Sequence, residues 1–206
     1  MKNLLLKTLP ALVLATAAAQ AHADWTLLGD AVSAGGTLTV TTAFNGDSDA
    51  PFNLSGHGAV WIDTLESAAG LPFHTLDMPD EPAYEGSLVT QTFAVQAGDR
   101  LSFDYAFSTQ ETLFQDRAFL VINGSLVTLA TRSGQPPGGG AQFSYTFPSS
   151  GTATLAFGVV DTGDFNGVSR LSVSNVTLAP VPEPAGWALW LAGAAGLAAL
   201  RRVRRS

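Results

Sequence analysis

Residues 117–130, RAFLVINGSLVTLA, decide the fold class. Two runs rich in Leu, Val, Ile and Phe flank Asn123-Gly124, a pair that accepts the positive φ angles of a tight turn, so the segment reads as a β-hairpin. Alternation with period two continues on either side of it. TLTVTTAF sets Leu38, Val40, Thr42 and Phe44 on one side, LSFDYAF sets Leu101, Phe103, Tyr105 and Phe107, QFSYTF sets Phe143, Tyr145 and Phe147, and TLAFGVV sets Leu155, Phe157 and Val159. Strands with one wet and one buried face use this spacing; helices do not. In SRLSVSNVTL the apolar phase slips between Val173 and Val176, which predicts a β-bulge near Ser174-Asn175. Only 62–71, IDTLESAAGL, offers one or two helical turns. About nine or ten short strands separated by Gly, Pro, Asp and Ser clusters predict an all-β, antiparallel, jelly-roll-like β-sandwich over 24–180, with no internal repeat and no second domain.

Both ends of the chain have a different character. At the N-terminus Lys2 and Lys7 precede the apolar stretch 9–19, and Ala21-His22-Ala23 supplies a small-x-small site, which predicts a signal peptide over 1–23 that signal peptidase removes after Ala23. The alternative, an N-terminal anchor, needs about 20 apolar residues. This run is shorter.

All 17 acidic residues lie between Asp24 and Glu183, where the basic residues are Arg100, Arg117, Arg132 and Arg170 and there is no lysine. The whole-chain net charge of −7 therefore understates the acidity of the exported part. Such a surface repels phosphate backbones, which argues against nucleic acid as a partner; solubility by mutual repulsion accounts for it without any ligand. With no cysteine in the chain, disulfides, thiol catalysis and thiolate metal sites are excluded.

The C-terminus reads VPEPAGWALWLAGAAGLAALRRVRRS. The sixteen residues 185–200 are all Ala, Gly, Leu or Trp, and as a helix they span about 24 Å. That is somewhat short of the ~30 Å hydrocarbon core, a gap that Trp187 and snorkelling arginines can cover. Arg201, Arg202, Arg204 and Arg205 resist translocation and mark the cytoplasmic side. Pro182, Glu183 and Pro184 stand directly outside this expected transmembrane helix, where two prolines hold the backbone extended. A permanent single-span anchor and a packed soluble helix are the other readings, though the latter lacks a polar face.

The three-part order of this tail over 181–206 resembles the PEP-CTERM sorting signal of Gram-negative bacteria that make exopolysaccharide, with Pro182, Glu183 and Pro184 matching the motif. The resemblance implies recognition by exosortase, a membrane-embedded enzyme that removes the tail after transient residence in the inner membrane and passes the protein to the cell surface or extracellular matrix. The segments SFDYAFSTQE, DRAFLVINGSL and VVDTGDFNGVSRLSVSNVTL resemble sandwich domains found upstream of such tails. Those relatives commonly carry Asp where Ser174 stands here.

No nucleophile constellation accompanies His57 and His74, the two histidines of the exported part, so a non-catalytic structural or adhesive role in the matrix is expected. A glycosidase pair needs two carboxyls about 5 to 9 Å apart, which spacing in sequence does not show. Two ligand classes remain open. DTGDFNG places Asp161, Asp164 and Asn166 in one turn-forming loop, where hard oxygen donors suit calcium, with Glu111 and Asp116 as further donors. Asp-Gly and Asn-Gly are equally ordinary turn formers. For exopolysaccharide or another glycan, the stacking candidates are Tyr84, Trp61 and Trp25. Tyr84, in the acidic proline-containing loop, is expected to be exposed, and Trp61, on a strand, to be buried.

Overall fold

The computed structural model describes residues 24–136 and 140–180. The expected signal peptide, the Pro-Glu-Pro motif, the expected transmembrane helix and the arginine cluster lie outside the described residues. Among the described residues, no helix is long and apolar enough to cross a membrane.

Among the described residues, eleven strands and one α-helix follow in the order β1 (Thr26–Leu28), β2 (Asp30–Ala34), β3 (Thr37–Thr41), β4 (Val60–Trp61), α1 (Ile62–Ala69), β5 (Ala83–Val95), β6 (Arg100–Thr109), β7 (Arg117–Ile122), β8 (Ser125–Thr131), β9 (Gly140–Thr146), β10 (Gly151–Thr162) and β11 (Ser169–Ala179). They form two antiparallel sheets, as the alternation predicts. One has the order β1-β5-β10-β7-β8, with β4 also paired to β5, and the other β2-β3-β11-β6-β9.

The hairpin of 117–130 forms as β7 and β8, with φ of 51° at Asn123 and 76° at Gly124. The phase slip in the last strand is a bulge between Ser174 and Thr177, where Asn175 takes a φ of 54°. The helical turns expected over 62–71 form as α1, ended by Gly70 in the left-handed conformation, and a short 3-10 turn at Ala50–Phe52 adds a helical segment beyond those expected.

Alternation divides the core in two. Phe157, Val159, Leu120, Ile122, Val89 and their parity-mates face the second sheet, where they meet Phe103, Phe107, Leu171 and Val173. The opposite parity, including Phe119, Val121, Leu88 and Val160, faces outward and is covered by Leu65 and Ala69 of α1. The first sheet is thus buried on both faces. A side chain at Gly86 would meet the Val159 carbonyl at 2.1 Å, so β5 and β10 approach there only because no Cβ intervenes.

The ends of the sandwich differ. Tight turns join β7 to β8 and β5 to β6, whereas 42–59, 70–82, 110–116 and 163–168 gather at the other end. Asp30 anchors the first of these connections: its buried carboxylate accepts the amides of Leu54 at 2.9 Å and Ser55 at 2.7 Å, as well as the Thr41 hydroxyl. Glu66 of α1 does the same for the second, accepting the amides of His74 at 2.8 Å and Leu76 at 2.7 Å.

The two sheets are joined by aromatic packing, Phe157 meeting Phe103 of the second sheet edge-on at 4.8 Å, while Trp25, beside β1 of its own sheet, lies 5.5 Å from the same ring. Phe157→Ala should therefore lower stability by about 3–5 kcal/mol, seen as a lower urea midpoint in Trp25 fluorescence with unchanged slope.

Candidate functional site

At the loop-bearing end, two neighbouring strands and the residue that leads into a third each contribute a carboxyl group. Asp161 of β10 lies opposite Glu85 of β5 in register, and Asp116 directly precedes Arg117, which pairs with Val160. Their parity is that of Phe157 and Val159, of Ser87 and Val89, and of Ala118 and Leu120, so all three are directed between the sheets. Glu85, Asp116 and Asp161 are 1%, 0% and 2% exposed.

Asp116 is held from two sides. Its Oδ1 accepts the Thr162 amide at 3.2 Å, and its Oδ2 accepts the Ser169 hydroxyl of the opposite sheet at 2.5 Å. By contrast, Oε2 of Glu85 and Oδ1 of Asp161 are buried without a hydrogen-bond partner. Arg117 does not neutralise them. Its parity puts it on the outer face with Phe119 and Val121, where it donates to the Leu76 carbonyl and sits in the field of Asp77 and Glu66.

Burial, reinforced by Asp116, Asp49 and Asp164, pushes the Glu85 carboxyl up to about 8. Asp161 and Asp116 interact directly, and burial raises both, Asp161 further because Asp116 and Glu85 add repulsion. The hydrogen bonds from Ser169 and Thr162 partly offset the rise at Asp116. Asp49, in the 42–59 connection, is also raised, by burial and then by Asp47.

Of the five residues expected as calcium ligands, Asp161 and Asp116 meet. Asp164 is half-buried beside them and acts on both Glu85 and Asp161. Asn166 is exposed and closes a local turn, its amide and Nδ2 both donating to Asp164 at 2.8 and 3.0 Å. Glu111 is taken up by its own loop, where Oε1 accepts the amides of Thr112 at 2.6 Å, Leu113, and Phe114 at 3.1 Å. Glu85 was absent from that set. The signal for it was its alternation with Ser87 and Val89, which marks a carboxylate at a core-facing position.

The aromatic expectations are reversed. Trp61 is 58% exposed, because β4 is a two-residue edge strand whose ring leans on Phe44 at 6.2 Å and Phe165 at 5.8 Å rather than on the core. Tyr84 belongs to β5, not to a loop, and is half-buried. The register passes from Asp161–Glu85 to Thr162–Ala83, leaving Tyr84 as the extra residue of a bulge that places its ring 4.5 Å from Phe165. Trp25 packs on Phe157. Trp61, Phe165 and Tyr84 thus form a continuous aromatic patch beside the carboxyl row.

His74 Nδ1 meets Asp77 Oδ2 at 2.8 Å in an exposed turn, and His57 contributes its carbonyl to Asn53 Nδ2 at 2.6 Å. A separate groove of about 280 Å³ runs between Thr41, Phe52, Leu54, Thr109 and Arg170, with Arg170 its one ionisable lining residue.

No family model matches the chain, and no curated protein matches it. Among solved structures, the secreted serine protease VesC from Vibrio cholerae is similar at a TM-score of 0.33 and 17% identity, over 60% of this chain and 28% of that one. The chain therefore spans less than a third of that protease's length. A likeness at this TM-score carries no argument about activity.

A carboxyl raised above its unfolded value near 4 keeps a proton that the unfolded chain has released, so stability falls as pH climbs through the interval between the two. With divalent cations chelated, the melting temperature should decline from about pH 5 to about pH 8, the interval in which folded Glu85 and its neighbours hold protons that the unfolded chain has released. Asp161→Asn, a neutral isostere, should flatten this decline in a circular-dichroism melt. A slope as steep as that of the parent chain would clear Asp161 of any part in it.

Proposed function

We propose that the chain is an exported surface or extracellular-matrix protein with a non-catalytic structural or adhesive role, sorted by exosortase through its C-terminal segment. In this reading the fold is a jelly-roll-like sandwich, signal peptidase releases it at Ala23, and the tail 181–206 holds it in the inner membrane as a transmembrane helix until cleavage. The reading is supported by the tripartite tail together with the position at which the domain ends. β11 lies between β3 and β6 and finishes at Ala179, so Pro182 follows the last strand by three residues, a reach of about 10 Å.

A second reading, a carbohydrate-binding module, is favoured by one observation: the exposed ring of Trp61 continues into Phe165 and Tyr84. Such rings stack on pyranose faces.

Intact-mass measurement on protein recovered from the cell surface and medium tests the first reading. A species beginning at Asp24 and ending near Pro184 is expected, and uniform retention of the tail through Ser206 overturns processing. Glu183→Ala, and replacement of Arg201, Arg202, Arg204 and Arg205 by Ala, should each leave the domain folded but misplaced. For the second reading, Trp61→Ala should weaken retention on the host's exopolysaccharide at least tenfold without changing the melting temperature by more than about 2 °C, since an exposed ring contributes little to the core.

A further inference from the structure

We propose that Glu85, Asp116 and Asp161 form the core of a binding site for one hard divalent cation of the calcium class, set between the sheets at the loop-bearing end of the sandwich. The inference is independent of where the chain is delivered.

Three observations carry it. The first is placement. Two adjacent strands, and the residue entering a third, bring carboxyls to core-facing positions at one level, and neighbouring strands lie about 4.8 Å apart, which suits oxygen donors that share an ion. The second is the pair of buried oxygens without partners, Glu85 Oε2 and Asp161 Oδ1, on residues 1% and 2% exposed. Buried polar atoms are nearly always hydrogen-bonded, so two orphaned carboxylate oxygens in one row point to a missing electropositive partner. The third is that among the described residues no cationic side chain is paired with Glu85 or Asp161. Arg117, the nearest in sequence, is committed to the opposite face of the sheet.

Donor chemistry selects the ion. Every available group is oxygen, and no histidine or cysteine takes part, which disfavours zinc and other soft metals. Calcium accepts six to eight oxygens in loose geometry, whereas magnesium needs a near-regular octahedron and retains several waters that a site this buried has little room for. Among the described residues no three carboxylates already converge as a finished ligand set. Ligation therefore requires a change of side-chain rotamer within the row. Asp164, and Asp47 and Asp49 from the 42–59 connection, surround the row with further negative charge and draw the ion in.

The test uses the full-length chain in detergent, treated with chelator and then titrated with calcium chloride, read by thermal melting and by isothermal calorimetry. Calcium at a hundredfold excess over its dissociation constant should raise the melting temperature by about 5–10 °C with one ion bound, and magnesium at the same concentration by less. Asp161→Asn and Glu85→Gln should remain folded and lose most of that rise, while Asp63→Asn, on the exposed face of α1, should keep it. Absence of both heat and melting shift in the parent chain overturns the site. So does an undiminished shift in Asp161→Asn, or an equal loss in Asp63→Asn, since either would mean diffuse screening rather than ligation.

Discussion

The register of β10 is the constraint on which the rest depends. From Leu155 to Thr162 every residue of this strand is buried, one parity against the second sheet and the other beneath α1. A slip of one residue would exchange Phe157 and Val159 for Ala156 and Gly158, and a β-carbon at Gly158 would already collide with Phe119 at 2.3 Å. Register fixed in this way also fixes which way Asp161 points. The carboxyl row follows from the same alternation that builds the apolar core, continued one step past it.

The sandwich therefore has two regimes along one axis. Over most of its length, aromatic and aliphatic side chains fill the gap between the sheets. At the end where the long connections gather, the filling changes to carboxyls, with one hydroxyl, Ser169, reaching across from the opposite sheet. Buried charge of one sign is costly, and a fold that tolerates it must neutralise it by protons or by a bound ion. The surrounding loops are well tied: Asp30 holds one, Glu66 a second and Glu111 a third, each through backbone amides. These three acids show what a satisfied carboxylate looks like in this protein, and Glu85 and Asp161 differ from them.

Much of the fold was legible in the sequence because strands with one wet face write their period directly. β6 and β9 alternate cleanly, Asn123-Gly124 announces its hairpin, and the phase slip before Val176 marks the bulge at Asn175. The loop-bearing end was less legible. Asp161 and Asp116 could be named from composition, but the sequence does not say that β5 lies beside β10, and without that pairing Glu85 is one acid among many in an acidic loop. Trp61 misled for a related reason. Strand membership suggests burial, yet a two-residue edge strand has one covered flank, and the ring is left facing outward. Tyr84 was misplaced because a bulge, not a loop, sets its direction.

The position of β11 has a kinetic consequence. The last strand of the domain is a central one, and until it arrives β3 and β6 are unpaired edges with no partner on their inner sides. Strand pairs here join residues more than a hundred positions apart, as with Arg170 and Thr41, so assembly waits on long-range encounters and is intrinsically slow. Such lateness keeps the second sheet from locking prematurely: its two halves close on each other only once the final strand is available to lie between them.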